Sequence, residues 1–310
     1  MTLAVTKWDG RKISQPGLYS GVDMASYHGD LCDSPSISST GLRTIDLQTP
    51  LHYWDSSPFN PDRHDDEGEA EEKQHFRLGR AAHSLLLEPE TYRLRYVTRP
   101  EEWKNWQTHA SQAWRKTQVA NGRTVLSDDE EARVLGMVQR LQGHSLHADG
   151  ILSGAIELSV VWKDARTGVW LKARPDAVPT DAATLTDLKC MSDPSPRGLE
   201  GAIRRFGYDM QIQLAAAGLA AVAGLEIEEF VIVAIGAKRP HAIHIATLSD
   251  ASRHWAQLRL RRSIDRFAHG LRTGEWPGYD RDDGRVYFPA RWDVEQWTDL
   301  QKTGEMPEEP

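Results

Sequence analysis

Two aspartates and a lysine stand in an order that could serve phosphodiester cleavage: Pro175-Asp176, then Asp187-Leu188-Lys189 eleven residues on. Alternate side chains of a β-strand share a face, so Lys172, Arg174 and Asp176 point one way and Val169, Leu171, Ala173 and Ala177 the other. By the same alternation Asp187 and Lys189 share a face, as do Glu157 and Ser159. Three carboxylates and a lysine could thus converge on one side of neighbouring strands. Mg²⁺ is a hard ion that takes oxygen ligands and keeps several waters, so Asp176, Asp187 and the Leu188 carbonyl would suffice to hold it. Such an ion polarises a phosphoryl oxygen and makes a nucleophile of water near neutral pH. Lys189 beside it could orient that water and offset charge in the transition state. An Asp-x-Lys triplet alone is commonplace, and an exposed strand end with a surface ion pair would look the same.

The elements that must position these groups are read from periodicity and punctuation. Residues 157–189 read as a three-stranded meander with turns at 164–168 and 179–182. Upstream, residues 34–54 suggest a helix capped by Ser38 or Ser39 and broken at Thr49-Pro50. Phe76, Leu78, Ala82, Leu85 and Leu86 give a helix closed by Pro89. It carries Gly79 and His83, four residues apart and so on one face. More helix is expected between 101 and 140, with a capping box at Ser127–Glu130. Downstream, 197–224 reads as one long Ala-rich helix carrying Tyr208 and Gln211 one turn apart. Strands at 229–235 and 242–248 and an Arg-bearing helix at about 249–271 complete the pattern. The order is mixed α/β, a sheet flanked by helices, with helical additions near the N-terminus. Residues 1–24 read as an irregular arm, 25–275 as one domain with an acidic loop at 58–73, and 276–310 as a tail.

Composition narrows the class. At 310 residues with 39% apolar content the chain can bury a real core. It shows no apolar run of membrane-span length, and its first residues, MTLAVTKWDGRK, lack the apolar core expected of a secretory leader. Cys32 and Cys190 are too few for a disulfide framework, which favours a reduced, cytoplasmic setting. The net charge of −8 argues against indiscriminate coating of nucleic acid but leaves room for a local basic channel. The Trp103, Trp106 and Trp114 group reads as packing before base stacking. His28 and Cys32 have ligand-like spacing without further ligands. Arg261, Arg262 and Arg266 would line a DNA channel or solvate a helix. Ser38 and Ser39, at a helix start, could receive a phosphate as readily as cap the helix.

In the order Gly79-x-x-x-His83, Glu157, Pro175-Asp176, Asp187-x-Lys189, Tyr208-x-x-Gln211, the chain resembles the RecB-type branch of the PD-(D/E)xK nucleases. More narrowly it resembles the RecE-type exonucleases of phages and prophages, related to exodeoxyribonuclease VIII. The blocks that carry this are SISSTGL, TPLHYW, LGRAAHSLLLEP, ELSVVWKDARTGVWLKARPD, DLK and YDMQ, spread over most of residues 25–220. The resemblance implies a restriction-endonuclease-like core and an Mg²⁺-dependent (or Mn²⁺-dependent) 5′→3′ exonuclease on duplex DNA ends, with two ions. It would leave 3′ overhangs for a RecT-type single-strand annealing protein in phage recombination inside a bacterial host, as a homo-oligomeric ring. Carried over by position, Asp176, Asp187, the Leu188 carbonyl, His83 and Glu157 would serve the metal, and Lys189 would be the catalytic lysine. Tyr208 and Gln211 would hold substrate phosphate or the lysine, and Arg174 and Lys172 would meet DNA phosphate. The commoner Q-x-x-x-Y form is absent, with Ala215 where the tyrosine would stand, and so are the four cysteines of the iron–sulfur relatives. An endonuclease of the same fold, and an idle DNA-binding assembly protein, are the alternatives.

Overall fold

The structure is a computed structural model, and it describes residues 3–63, 74–145, 152, 154–156, 158–178, 184–279 and 302. The chain divides into two compact units, 1–276 and 277–310. The first unit carries the strands and helices that position the candidate site.

Its strands form two principal sheets rather than one meander. One has the order β1 (Val5–Lys7), β2 (Gly17–Ser20), β7 (Ser159–Lys163), β8 (Trp170–Ala173), β3 (Ser36–Ser38). The other holds β10 (Thr184–Met191), β11 (Glu229–Gly236) and β12 (Ile243–Thr247). Two short pairs stand apart: β4 (Tyr96–Thr98) with β5 (Thr124–Leu126), and β6 (Ala155–Ile156) with β9 (Ala177–Val178). The expected hairpin at 164–168 is present, joining β7 to β8 antiparallel. The expected third strand left it: β10 pairs in parallel with β11, matching Asp187 with Ile232 and Lys189 with Ala234. Residues 5–20 are not a loose arm, because β2 pairs with β7 inside the larger sheet.

The helices cover these sheets. After α1 (Met24–His28), α2 (Ser39–Leu47) and α3 (Pro50–Asp55) are separated at the expected Thr49-Pro50 break, and Thr49 caps α3 by accepting the His52 N–H. Ser38 sits at the α2 N-cap without a side-chain capping bond. α4 (Gln74–Leu87), α5 (Pro89–Arg95), α6 (His109–Ala120) and α7 (Asp128–Gln142) follow. Both halves of the Ser127–Glu130 capping box form, satisfying two otherwise orphaned donors. The long helix expected at 197–224 is two helices, α8 (Pro196–Phe206) and α9 (Tyr208–Ala223). Gly207 divides them with φ +65°, a left-handed turn that glycine takes without a Cβ penalty. α10 (Asp250–Thr273) closes the unit.

Strand alternation sends β10 into two cores. Leu185 joins the cluster under α9, α2 and α10, while Leu188 joins the one under α4 and α7. α9 lies hard on the larger sheet: a Cβ at Gly218 would come 2.5 Å from the Trp162 ring. Among the described residues no helix is long and apolar enough to cross a membrane.

Candidate active site

Asp187 and Lys189 project from β10 toward α9. Asp187 is 5% exposed and Lys189 Nζ lies 2.6 Å from its Oδ2. That approach is an ion pair by distance, but Oδ2 receives no properly directed hydrogen bond and is otherwise orphaned. Gln211, one turn into α9, ties the pair together. Its Nε2 donates to Asp187 Oδ1 at 3.0 Å, and its Oε1 accepts from Lys189 Nζ at 3.4 Å. The Tyr208 ring lies beneath the same ammonium, 4.8 Å from Nζ to centroid. Without the turn at Gly207, Tyr208 and Gln211 would continue the line of α8. With it, both sit on Lys189.

Asp176, between β8 and β9, is bound to the β10 backbone. Its Oδ2 accepts the Leu188 N–H at 2.7 Å. His83, from α4, donates from Nε2 to the Leu188 carbonyl at 2.8 Å, since a carbonyl can only accept. Its Nδ1 faces Asp176 Oδ1 at 3.7 Å, beyond a hydrogen bond. Gly79 lets α4 come this close: a Cβ there would be 3.1 Å from Cys190 Cβ on β10. Burial pushes the Asp187 carboxyl above the ordinary aspartate value; Lys189 opposes the rise and Asp176 adds to it. A buried carboxylate with one orphaned oxygen and a second acid beside it is an environment short of positive charge.

That shortage is what a hard divalent cation would fill. The donors at hand are the oxygens of Asp176, Asp187 and Leu188, the ligand class Mg²⁺ prefers. Among the described residues no three His, Cys, Asp or Glu side chains converge as a ready ligand set. Mg²⁺ needs no such set, because one or two carboxylates suffice while water and phosphate fill the remaining positions. The residues therefore fit the ion. Glu157, the remaining acid expected from the sequence, lies outside the described residues.

The site opens into a cleft of about 1280 Å³ whose wall includes His83, Leu188, Lys189, Tyr208 and Gln211. A smaller cavity of about 200 Å³, lined by Asp176 and Asp187, adjoins it through shared walls at Arg43, Arg174 and Gln211. Around the larger cleft stand Arg43, Arg80, Arg95, Arg174, Arg205 and Lys189 against Asp23 and Glu88. A chain of net charge −8 thus keeps a basic cleft.

The phosphate-binding expectations divide. Arg174 lines both cavities, over the Tyr27 ring at 4.5 Å and donating to the Val22 carbonyl and Ser159 Oγ. Ser39 lines the smaller cavity, and Ser38 is buried beside it on β3, in register with Lys172. Lys172 does not reach the cleft. It is 2% exposed, Nζ donates to the Gly29 carbonyl at 3.0 Å, and burial pulls its pKa down to about 8. The period-2 pattern placed it on a polar face, but α1 and the loop after it cover that face of β8.

Arg43 is the residue the motif reading overlooked. It lines both cavities and donates to the Phe206 and Ser39 carbonyls. Burial lowers its pKa, with Asp187 and Tyr208 opposing. Its signal was its place four residues after Ser39, on the same face of α2. Arg261 pairs with Asp164 and Asp265, and Arg262 with Asp46. Trp103, Trp106 and Trp114 pack on one another beside α6, with Arg115 over Trp106.

Residues 60–282 match the model of a family described as a PDDEXK-like domain of unknown function (DUF3799). A crystal structure from Eubacterium rectale, of a protein whose name carries an inferred exonuclease activity, aligns at TM-score 0.56 with 13% identity. The alignment covers 88% of this chain and 94% of that one. At that identity it shows a shared fold, and with the family match it establishes the PD-(D/E)xK core. The protein SSO0001 aligns at TM-score 0.32 and 12% identity, over 82% and 80% of the two chains, and carries no argument. No curated protein matches the chain.

Proposed function

Because the chain belongs to this PDDEXK-like family, we propose that it is a metal-dependent deoxyribonuclease that acts on duplex DNA ends. The observation that carries the proposal is the buried Asp187, its Oδ2 orphaned apart from the ammonium of Lys189, beside Asp176 in a small cavity that adjoins a basic cleft. Asp176, Asp187 and the Leu188 carbonyl would hold Mg²⁺, or Mn²⁺ in its place, with His83 beside them; Glu157 would serve a second ion. When bound, the ion supplies Lewis-acid polarisation of the phosphoryl oxygen and a water acidic enough to attack it.

The chain's own groups do the rest. Lys189 places a positive charge where the phosphoryl group gains negative charge, a site screened from bulk water where such charge counts for more. Gln211 is a positioning residue: one amide engages both members of the Asp187–Lys189 pair and fixes their separation. Tyr208 holds the ammonium from below. His83 and Asp176 grip both polar groups of the Leu188 backbone, which orients that carbonyl toward the site. The arginines of the cleft wall, Arg174 among them, draw the phosphate backbone inward.

The finer reading is the RecE-type one: 5′→3′ degradation, a 3′ overhang handed to a RecT-type annealing protein, and a ring of several copies around the duplex. Its support is the motif order and the quoted sequence blocks. A linear duplex labelled at its 5′ or 3′ termini, and a covalently closed circle, test it together. With Mg²⁺ the 5′ label is released first, the circle stays intact, and EDTA stops the reaction. Cutting of the circle would replace this reading with that of an endonuclease.

A further inference from the structure

Phe206 lines the cleft, and neither the proposed metal site nor the hydrophobic core uses it. It is 38% exposed, an apolar ring on a cleft wall that also carries Arg43, Arg80, Arg95, Arg174 and Arg205. It is also held firmly. It ends α8 immediately before Gly207, whose φ is +65° and where a Cβ would meet Arg43 Cδ at 3.0 Å. Arg43 Nη1 donates to the Phe206 carbonyl at 2.8 Å. Its backbone is therefore fixed by the same turn and the same arginine that shape the active-site wall.

The ring belongs to a stack leading inward. Phe206 lies on Tyr208 with centroids 5.7 Å apart and planes 26° from parallel, and Tyr208 lies beneath Lys189 Nζ at 4.8 Å. On the outside, the exposed Arg205 guanidinium lies 5.4 Å from the Phe206 centroid. Ring, ring and ammonium thus run in sequence from solvent to the catalytic pair. An exposed aromatic flanked by cations is the means by which proteins hold unpaired bases, since every base offers a π-face and its phosphate meets the charge.

We propose that Phe206 is a base-stacking residue, taking the nucleobase of an unpaired terminal nucleotide whose phosphodiester enters the site at Lys189. Arg205 swings over that base from the solvent side, and Tyr208 keeps the stack in line with the lysine. The ligand is thus a frayed or single-stranded DNA end rather than an intact pair. This rests on the nuclease reading above.

Steady-state cleavage of linear duplexes carrying one abasic nucleotide at each of the four terminal positions in turn provides the test, with Phe206→Ala, Phe206→Trp and wild-type enzyme. On the all-natural substrate Phe206→Ala raises KM about tenfold at unchanged kcat, and Phe206→Trp restores it. At one abasic position wild type and Phe206→Ala become equal, because the stacking partner is already missing. An alanine effect of the same size at every abasic position, or none on the natural substrate, overturns the proposal. If the wild-type enzyme cleaves none of these substrates, the nuclease reading has failed, an outcome distinct from either.

Discussion

Two clusters of buried charge meet on α9, one residue apart in sequence, and they differ in how completely their charges are matched. On the α10 side, Arg259 donates to Asp46 Oδ2 at 2.7 Å and to both oxygens of Asp209, while Arg262 takes Asp46 Oδ1 at 2.5 Å. Every oxygen of those two acids has a cation. On the β10 side, Asp187 shares one lysine, leaves an oxygen without a hydrogen bond, and has Asp176 as a neighbour. Both regions have aspartates and a long cation under apolar cover. The first is saturated and locks helices together; the second is less completely matched. Burial and residue type alone therefore do not separate a fully matched acid from an incompletely matched one.

The sharpest way to break that contrast is Asp187→Asn, which keeps the shape and the Gln211 contact but removes the charge. DNA cleavage should fall by about 10³-fold or more. Thermal stability should be unchanged or higher, because a carboxyl whose pKa burial raises is costly to keep ionised. A stability loss matching that of an ordinary salt bridge would place Asp187 in the structural class.

Arg259→Ala is the converse. It leaves Asp209 buried without its cation and should cost about 3–5 kcal/mol in urea denaturation. Cleavage per folded molecule should be retained. An equal loss of activity in the folded protein would show the two clusters to be one.

Lys172 supplies a smaller, pH-dependent comparison. Its pKa drops from the ordinary 10.5 to about 8, which at about 1.4 kcal/mol per pH unit is about 3 kcal/mol. Below pH 8 both folded and unfolded chains carry the proton, and the folded state bears the whole cost of burying it. Between about 8 and 10.5 the unfolded chain binds more protons, so stability contributed by this group rises with pH. Denaturation of wild type and Lys172→Met across that range should show wild type gaining on the variant as pH climbs. A pH-independent difference would mean that the lysine titrates normally.

Much of the site was legible because chemistry constrains residue type and spacing. Asp176, Asp187, Lys189, His83 and Gln211 were singled out from sequence, and the fold brings them together within one or two side-chain contacts. The Gly79 reading also survives, since a small residue was needed where α4 meets β10. What stayed hidden depends on long-range pairing. Nothing local told β10 to leave the hairpin for β11, and nothing in the period-2 pattern at Lys172 revealed that α1 would cover its face. An isolated glycine inside an Ala-rich helical pattern is tolerated, so Gly207 did not announce a break. Arg43 was passed over because it belongs to no motif, only to a helix face beside one.

β10, like β11 beside it, is shared by both cores. Its Leu185 is sealed beneath α9 and α10, its Leu188 beneath α4 and α7. The segment bearing Asp187 and Lys189 cannot come loose by melting one layer alone, so its amide protons should exchange with solvent only when the whole unit opens. The proposed site is thereby tied to global integrity. Damage to either layer, however far from the cleft, is felt along the strand that bears Asp187 and Lys189.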